Sequence, residues 1–445
     1  MKKSLMSKEY FWLLVAFVLV LTIANVVTPL LRPVAEHETI SLTEVAPGQA
    51  SGALQLIAQG FGQEETTEIA STTRVGYAFL IRNNDTKRAL QSSAYRVIAQ
   101  DVANNVLASD DGPIVLVLPG QTLGIGGTLF VPSSARVTKI MVQLGAGELT
   151  TVRSSPFLSV EHVRYHALPS ATVSGVIRNP FERNITSVRV SAIAYDTAGR
   201  IVGGGFSYLA FIPAGGSLGV ITSLNRAAEV SRVELYPSFS SQSAVTWPDE
   251  GLPPGARPLI LGEQGFGQRG TQFGYAFLLE NPNDTLVVRE IHYHVTAYNA
   301  MGEVLATDDG LLEVLLPGEK LGVGGNLPLD HEEPITQVEV AVLPGKYQLS
   351  AGSPPFRVVD AAYRDDETQP YATGRLVNSH PQSVTQLRLS AVAYNAAGDI
   401  IGGGYAPLES VPAQGEVRVE VPIVVSAVPA HMEMYATRTA LTKME

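Results

Sequence analysis

The chain has 445 residues, 45% hydrophobic and 16% charged, which is enough for several buried cores and, by length alone, about three domains. Its 42 acidic against 31 basic residues give a net charge of −11, which argues against a phosphate-tracking surface and so against nucleic acid as a partner. With no cysteine, the chain has no disulfide staple, thiolate zinc site, thiol nucleophile or lipid-bearing N-terminal cysteine, and its stability must come from its cores.

Residues 1–9 are short and basic, with Lys2, Lys3 and Lys8 against Glu9. Residues 10–31 then run without a charge, long enough to cross a hydrocarbon layer of about 30 Å. Tyr10 and Trp12 stand where an interfacial aromatic belt would, and only Arg32 follows closely. The positive-inside bias predicts a single-pass anchor in the lipid bilayer, with a cytoplasmic N-terminus and residues 32–445 outside the cell membrane. The alternative is a cleaved signal peptide with Thr22 and Ala24 before the cut, although the apolar run is long for that. Residues 32–52 read as a stalk.

The remainder is a duplication. QGFGQ at 59–63 returns at 264–268, and GYAF at 76–79 returns at 274–277. DDG (110–112 and 308–310), LPG (118–120 and 316–318) and LGIGG/LGVGG (123–127 and 321–325) recur at an offset of about 198 residues. Each half divides again, because YNAMGEVLATDDG at 298–310 resembles YNAAGDIIGGGY at 394–405. The expected units are 53–157, 158–240, 258–356 and 357–445, with a Pro-rich linker over 241–257.

Within a unit the hydrophobic period is two. Val188, Val190, Ala192 and Ala194 alternate with Arg189, Ser191, Ile193 and Tyr195, and Leu387, Leu389, Ala391 and Ala393 repeat the pattern. Tight turns end these strands at Gly199, Gly302 and Gly398, each opened by Asp or Asn. Short strands with turn signals about every ten residues predict β-sandwiches. The fold class expected is mainly β: four tandem β-sandwiches, as two copies of a two-domain unit, after one membrane helix.

Several of these motifs, namely Gly175-Val-Ile-Arg-Asn179 and Gly374-Arg-Leu-Val-Asn378, strands ending Tyr195-Asp196 and Tyr394-Asn395, then Ile-Val-Gly-Gly-Gly and a Pro corner, resemble those of the FxLYD family. Those are bacterial extracytoplasmic immunoglobulin-like domains. The match is best over 171–236 and 370–435, although Ala192 and Ala194 replace the family's Phe and Leu. The resemblance implies that the four sandwiches are immunoglobulin-like and exported, and it implies no general enzymatic activity.

Candidate chemistry is sparse. Gly265-Phe-Gly-Gln-Arg-Gly270 spells a dinucleotide fingerprint, but a strand-like TQFGYAFLLEN follows where a helix is required. Phe61 and Phe266, with Gln63 and Gln268, recur in both halves and are the candidate ligand or partner contacts; the competing reading makes the phenylalanines plugs at the open end of a sandwich. Asp110-Asp111-Gly112 and Asp308-Asp309-Gly310 lack the spacing of a calcium loop and read as turns. His292 and His294 share one strand face without a third ligand, and the register places both outside the sandwich. His162 and His166 give no better metal site. Tyr195, Tyr298, Tyr394, Tyr236 and Tyr435 read as structural repeat markers whose hydroxyls pin sandwich corners. Asn84, Asn184 and Asn283 begin glycosylation sequons.

No catalytic, cofactor or metal residues are expected. The sequence points to an anchored, non-enzymatic structural, adhesive or scaffolding protein with a protein partner in the membrane or envelope; self-association is left open. The alternative is a polysaccharide- or peptide-binding module using equivalent loops of units one and three.

Overall fold

The computed structural model describes residues 41–444 apart from 65–70, 153–156, 169, 227–228, 351, 353–354 and 367. The described residues are all-β, and every strand pairing among them is antiparallel. Each unit is a sandwich of two sheets. In the first, one sheet joins Leu42–Val45, Lys139–Gly145, Arg88–Gln100 and Val106–Val117, and the other joins Ala50–Ser51, Leu54–Gln63, Thr72–Asn83 and Thr122–Pro132. The first of these carries the tight-turn hairpin and is called the hairpin sheet; the second is its companion.

The other units repeat this plan. Hairpin sheets are built on Asn184–Tyr195 with Ile201–Ile212, on Leu286–Tyr298 with Val304–Leu315, and on Val384–Tyr394 with Ile400–Val411. Their companions centre on Thr172–Arg178, Gln272–Glu280 and Tyr371–Asn378. Strand alternation fills the cores: Val75, Tyr77, Phe79 and Ile81 point into sandwich 1, while Phe273, Tyr275, Phe277 and Leu279 do the same in sandwich 3.

Two polar devices recur in all four units. The turns 101–105, 196–200, 299–303 and 395–399 each begin with Asp or Asn, whose Oδ1 accepts backbone N–H groups two and four residues on. Gly199, Gly302 and Gly398 then take left-handed φ of 75°, 76° and 92°, and Asn104 stands there in unit one with φ 64°. Gly199→Ala is expected to cost about 1 kcal/mol in a urea melt, from backbone strain alone, since nothing lies within 4 Å of the added methyl.

The second device is a fully buried asparagine. Asn179 donates to the carbonyls of Arg183, Ile212 and Pro213, and Asn281 to those of Leu286, Leu315 and Leu316. Asn83 does the same with Arg88, Val117 and Leu118, and Asn378 with Gln382 and Pro412.

Two expected boundaries shift. Leu42–Val45 and Ala50–Ser51, in the expected stalk, pair into the two sheets of sandwich 1. Val245–Thr246, in the expected linker, pairs with Asn184–Ile185, and Trp247 lies under the Arg183 guanidinium at 4.0 Å. All three strands are too short to show a period, so the edges they complete decide their conformation.

The sandwiches do not join end to end. The companion sheet of each unit lies on the hairpin sheet of the next: Ala78 meets Ile193, Tyr195 and Ile201; Val176 meets Tyr298 and Val304; Ala276 and Leu278 meet Val392, Tyr394 and Ile400. Eight sheets therefore form one stack of alternating kind. At about 10 Å per layer its seven gaps span some 60–70 Å.

Candidate functional site

The repeated motifs converge on the junctions between units. In Leu123-Gly124-Ile125-Gly126-Gly127, Leu123 and Ile125 enter the core of sandwich 1, while Gly124 and Gly126 face sandwich 2. A Cβ on Gly126 would lie 2.5 Å from the Gly205 carbonyl oxygen, and one on Gly204 would lie 2.0 Å from that of Tyr77. The second half copies this contact, with Gly324 placed 2.5 Å from the Gly404 oxygen and Gly403 2.5 Å from that of Tyr275. Without side chains in the way, the two sheets meet backbone to backbone.

Across the same junctions Arg189 donates to the Gly126 carbonyl at 2.5 Å and Arg388 to that of Gly324 at 2.6 Å. Each guanidinium also lies over an aromatic ring, Phe206 at 3.9 Å and Tyr405 at 4.4 Å. The Asp-Asp-Gly repeats are explained too. Tyr77 donates its hydroxyl to Asp110, and Tyr275 donates to Asp308 at 2.6 Å. Burial raises the pKa of both tyrosines and of Asp308. These residues sit within paired strands, not in the turns expected for them.

The marker tyrosines converge on carboxylates. Tyr195 and Tyr236 both donate to Glu234, at 2.8 and 2.5 Å, and Tyr394 and Tyr435 donate to Glu433 at the same distances. Tyr298 donates to Glu339 at 3.2 Å. Burial is the largest cause raising these phenol pKa values, so all five stay protonated donors.

The candidate contacts fall elsewhere. Phe61 and Phe266 are half-buried against the cores of sandwiches 1 and 3, and the Phe266 ring centre is 6.4 Å from that of Phe273. Gln63 bonds the backbone at Ala135 and Val137, and Gln268 bonds it at Glu333 and Ile335, so both amides clamp a loop of their own sandwich. His294 departs from its expected exposure. It faces out of sandwich 3, but sandwich 2 covers that face and leaves it 1% exposed, with Nδ1 2.7 Å from Asp309. Among the described residues no group of three or more His, Asp or Glu is placed to hold a metal.

One cleft of about 180 Å³ opens at the first junction, between Asp110, Arg189, Phe206, Tyr208 and Ser238. Tyr208 is 51% exposed there and meets Phe206 edge-on at 5.7 Å. Sequence reading missed it, because Arg189 and Asp110 come from different units.

No family model and no curated protein matches the chain. Among solved structures it is similar to the BSP domain of a biofilm-associated protein, at 9% identity over 92% of this chain and 97% of that one, with a TM-score of 0.12. It is also similar to dimeric latent PorU from Porphyromonas gingivalis, at 8% identity over 89% of this chain and 33% of that one, with a TM-score of 0.14. A mutant Salmonella alpha-2-macroglobulin gives 14% identity over 87% of this chain and 28% of that one, also with a TM-score of 0.14. Values this low carry no functional argument. No helix among the described residues is long and apolar enough to cross a membrane, and the expected span over 10–31 lies outside them.

Proposed function

We propose that this chain is a membrane-anchored extracytoplasmic scaffold, a non-enzymatic pillar of four stacked sandwiches that holds a partner of the cell envelope at a set distance from the bilayer. The observation that carries the reading is where the duplicated chemistry goes. The repeated glycines and the Arg189 and Arg388 bonds join one sandwich to the next, Tyr77–Asp110 and Tyr275–Asp308 join the two sheets of a sandwich, and the other tyrosine–carboxylate bonds tie neighbouring strands of one sheet. None is gathered around a reacting centre.

The ends of the stack support the same reading. In three companion sheets the central pair facing the next unit is small or apolar: Ala78 with Gly126, Val176 with Gly219, and Ala276 with Gly324. In the fourth it is Arg375 with Arg418, beside Glu416, Glu420 and Asp360. A face this charged suits water or a polar partner rather than another apolar sheet, as the outer faces of terminal repeats in other stacked proteins do. The strand nearest the anchor, Leu42–Val45, belongs to the opposite end sheet. In this reading the pillar rises from the membrane and presents its charged face outward.

Capture of the tagged full-length chain from native membranes in mild detergent tests the proposal. A stoichiometric envelope protein that is lost when Arg375 and Arg418 are both changed to Glu supports it; recovery of the chain alone counts against it. The cleft at Asp110, Arg189 and Tyr208 favours a second reading, saccharide or peptide binding at the first junction, and Tyr208→Ala with a glycan array tests that one.

A further inference from the structure

The three junctions share a plan but not a chemistry. At the first and third, glycines bring backbones together, whereas the middle junction, between the duplicated halves, has Thr296 paired with Thr307 at the position of Ile193–Gly204 and Val392–Gly403. Its polar contacts include the Gly219 N–H donating to Thr296 Oγ1 at 3.1 Å and Arg164 reaching Glu303 at 2.7 Å and Glu333 at 3.0 Å.

Four of the chain's eight histidines stand at this junction. A bulge in Ser159–His166 sets His162 at a positive φ, with its ring 3.5 Å from where a Gly302 Cβ would be. His166 stacks on His331 of sandwich 3, with ring centres 6.3 Å apart and planes at 30°. His294 is buried on the facing strand, its Nε2 enclosed without a partner among the described residues. The strands of the first junction carry no histidine, and at the third only His431 stands at the rim, 64% exposed.

We propose that the middle junction is a proton-sensitive hinge: protonation of His166, held ring to ring against His331, drives sandwiches 2 and 3 apart in mild acid while the two glycine-lined junctions stay closed. The charges facing His166 set the direction. Arg164 on its own strand and His331 across the junction disfavour a proton, while Asp330 and Glu333 favour one. With burial the largest cause, the net result is a pKa below the usual histidine value.

A group whose pKa is lowered in the closed state holds its full stabilisation above the open-state value of about 6.5. The closed state loses that contribution as pH falls through the lowered value. Glu333, itself held low despite its burial by bonds from Asn299 and Arg164, weakens the junction further only below its ordinary range, near pH 4. Both effects act in the same direction.

Hydrogen exchange of the full-length chain in detergent micelles, corrected for the chemical rate at each pH, is the test. Between pH 7.5 and 5.5 the expected result is a several-fold loss of protection in 217–223 and 292–298, bounded at about tenfold for one group with an open-state pKa of about 6.5, with 76–80 and 274–278 unchanged. His331 is solvent-exposed, so His331→Gln leaves the fold intact and is expected to reduce the response, and His166→Gln with His331→Gln is expected to abolish it. Equal protection at both pH values, or a full response in the double variant, would overturn the proposal. Should the double variant be open even at pH 7.5, the response of His331→Gln alone decides.

Discussion

Replacing Asn179 with alanine is expected to destabilise sandwich 2 by about 3–5 kcal/mol, one of the largest effects available from a single side chain here. The amide sits fully buried where two strands and a corner meet, and its two N–H donors are spread over three carbonyls at 2.7, 2.9 and 3.3 Å. Its Oδ1 accepts the Phe181 N–H at 3.0 Å. Alanine would strand all of these groups away from water, at about 1–3 kcal/mol for each left unsatisfied.

A domain of this size holds only about 5–15 kcal/mol. Differential scanning calorimetry should therefore show the transition of sandwich 2 fall by about 15–25 °C while the others move little. The four asparagines also predict an order. Asn83 and Asn281 each serve three carbonyls and should behave like Asn179, whereas Asn378 serves two and should cost less. A loss below about 1 kcal/mol for Asn179→Ala would mean that water replaces the amide, and the idea of a buried corner post would fail.

Much of this was legible in the chain. Alternation placed Val188, Val190, Ala192 and Ala194 inside, and the structure buries all four. The asparagine that opens a unit stood in the copied motifs at 179 and 378; Asn83 and Asn281 each stand seven residues after the first glycine of the GYAF repeat, but nothing in that spacing marked them as buried corner posts. Stacking left a weaker trace. Outward positions on an open sheet should be polar, yet Ile193, Gly204 and Gly126 face out, which signals that something covers them.

Local spacing could not say what that cover was, since Gly126 and Gly205 are distant in sequence and belong to different sandwiches. The same gap explains His294. Its direction followed from the register, but its burial depends on another unit, and no period within one strand records a neighbour in the next.

Gly204 is one of the glycines on which the stacking rests, and Gly204→Ala is expected to part sandwiches 1 and 2. The added Cβ would lie 2.0 Å from the Tyr77 carbonyl oxygen and 2.7 Å from its carbon. Both atoms are backbone in a central strand paired on both sides, so neither can turn aside as a flexible side chain would. Overpacking against yielding side chains costs about 1–3 kcal/mol; against a fixed ladder the junction should give way before the sheet does.

The expected signature is lost exchange protection at 76–80 and 201–205, and a longer maximum dimension in solution scattering, with the cores around Phe79 and Val190 still protected. Gly403→Ala meets the Tyr275 oxygen at 2.5 Å and should loosen the third junction less. Gly199→Ala strains its own turn without touching a neighbour and should leave every junction closed, which separates the loss of close approach from the loss of a glycine. If Gly204→Ala kept the same dimension and protection as the parent chain, the sheets would have room to spare, and glycine would not be what sets their approach.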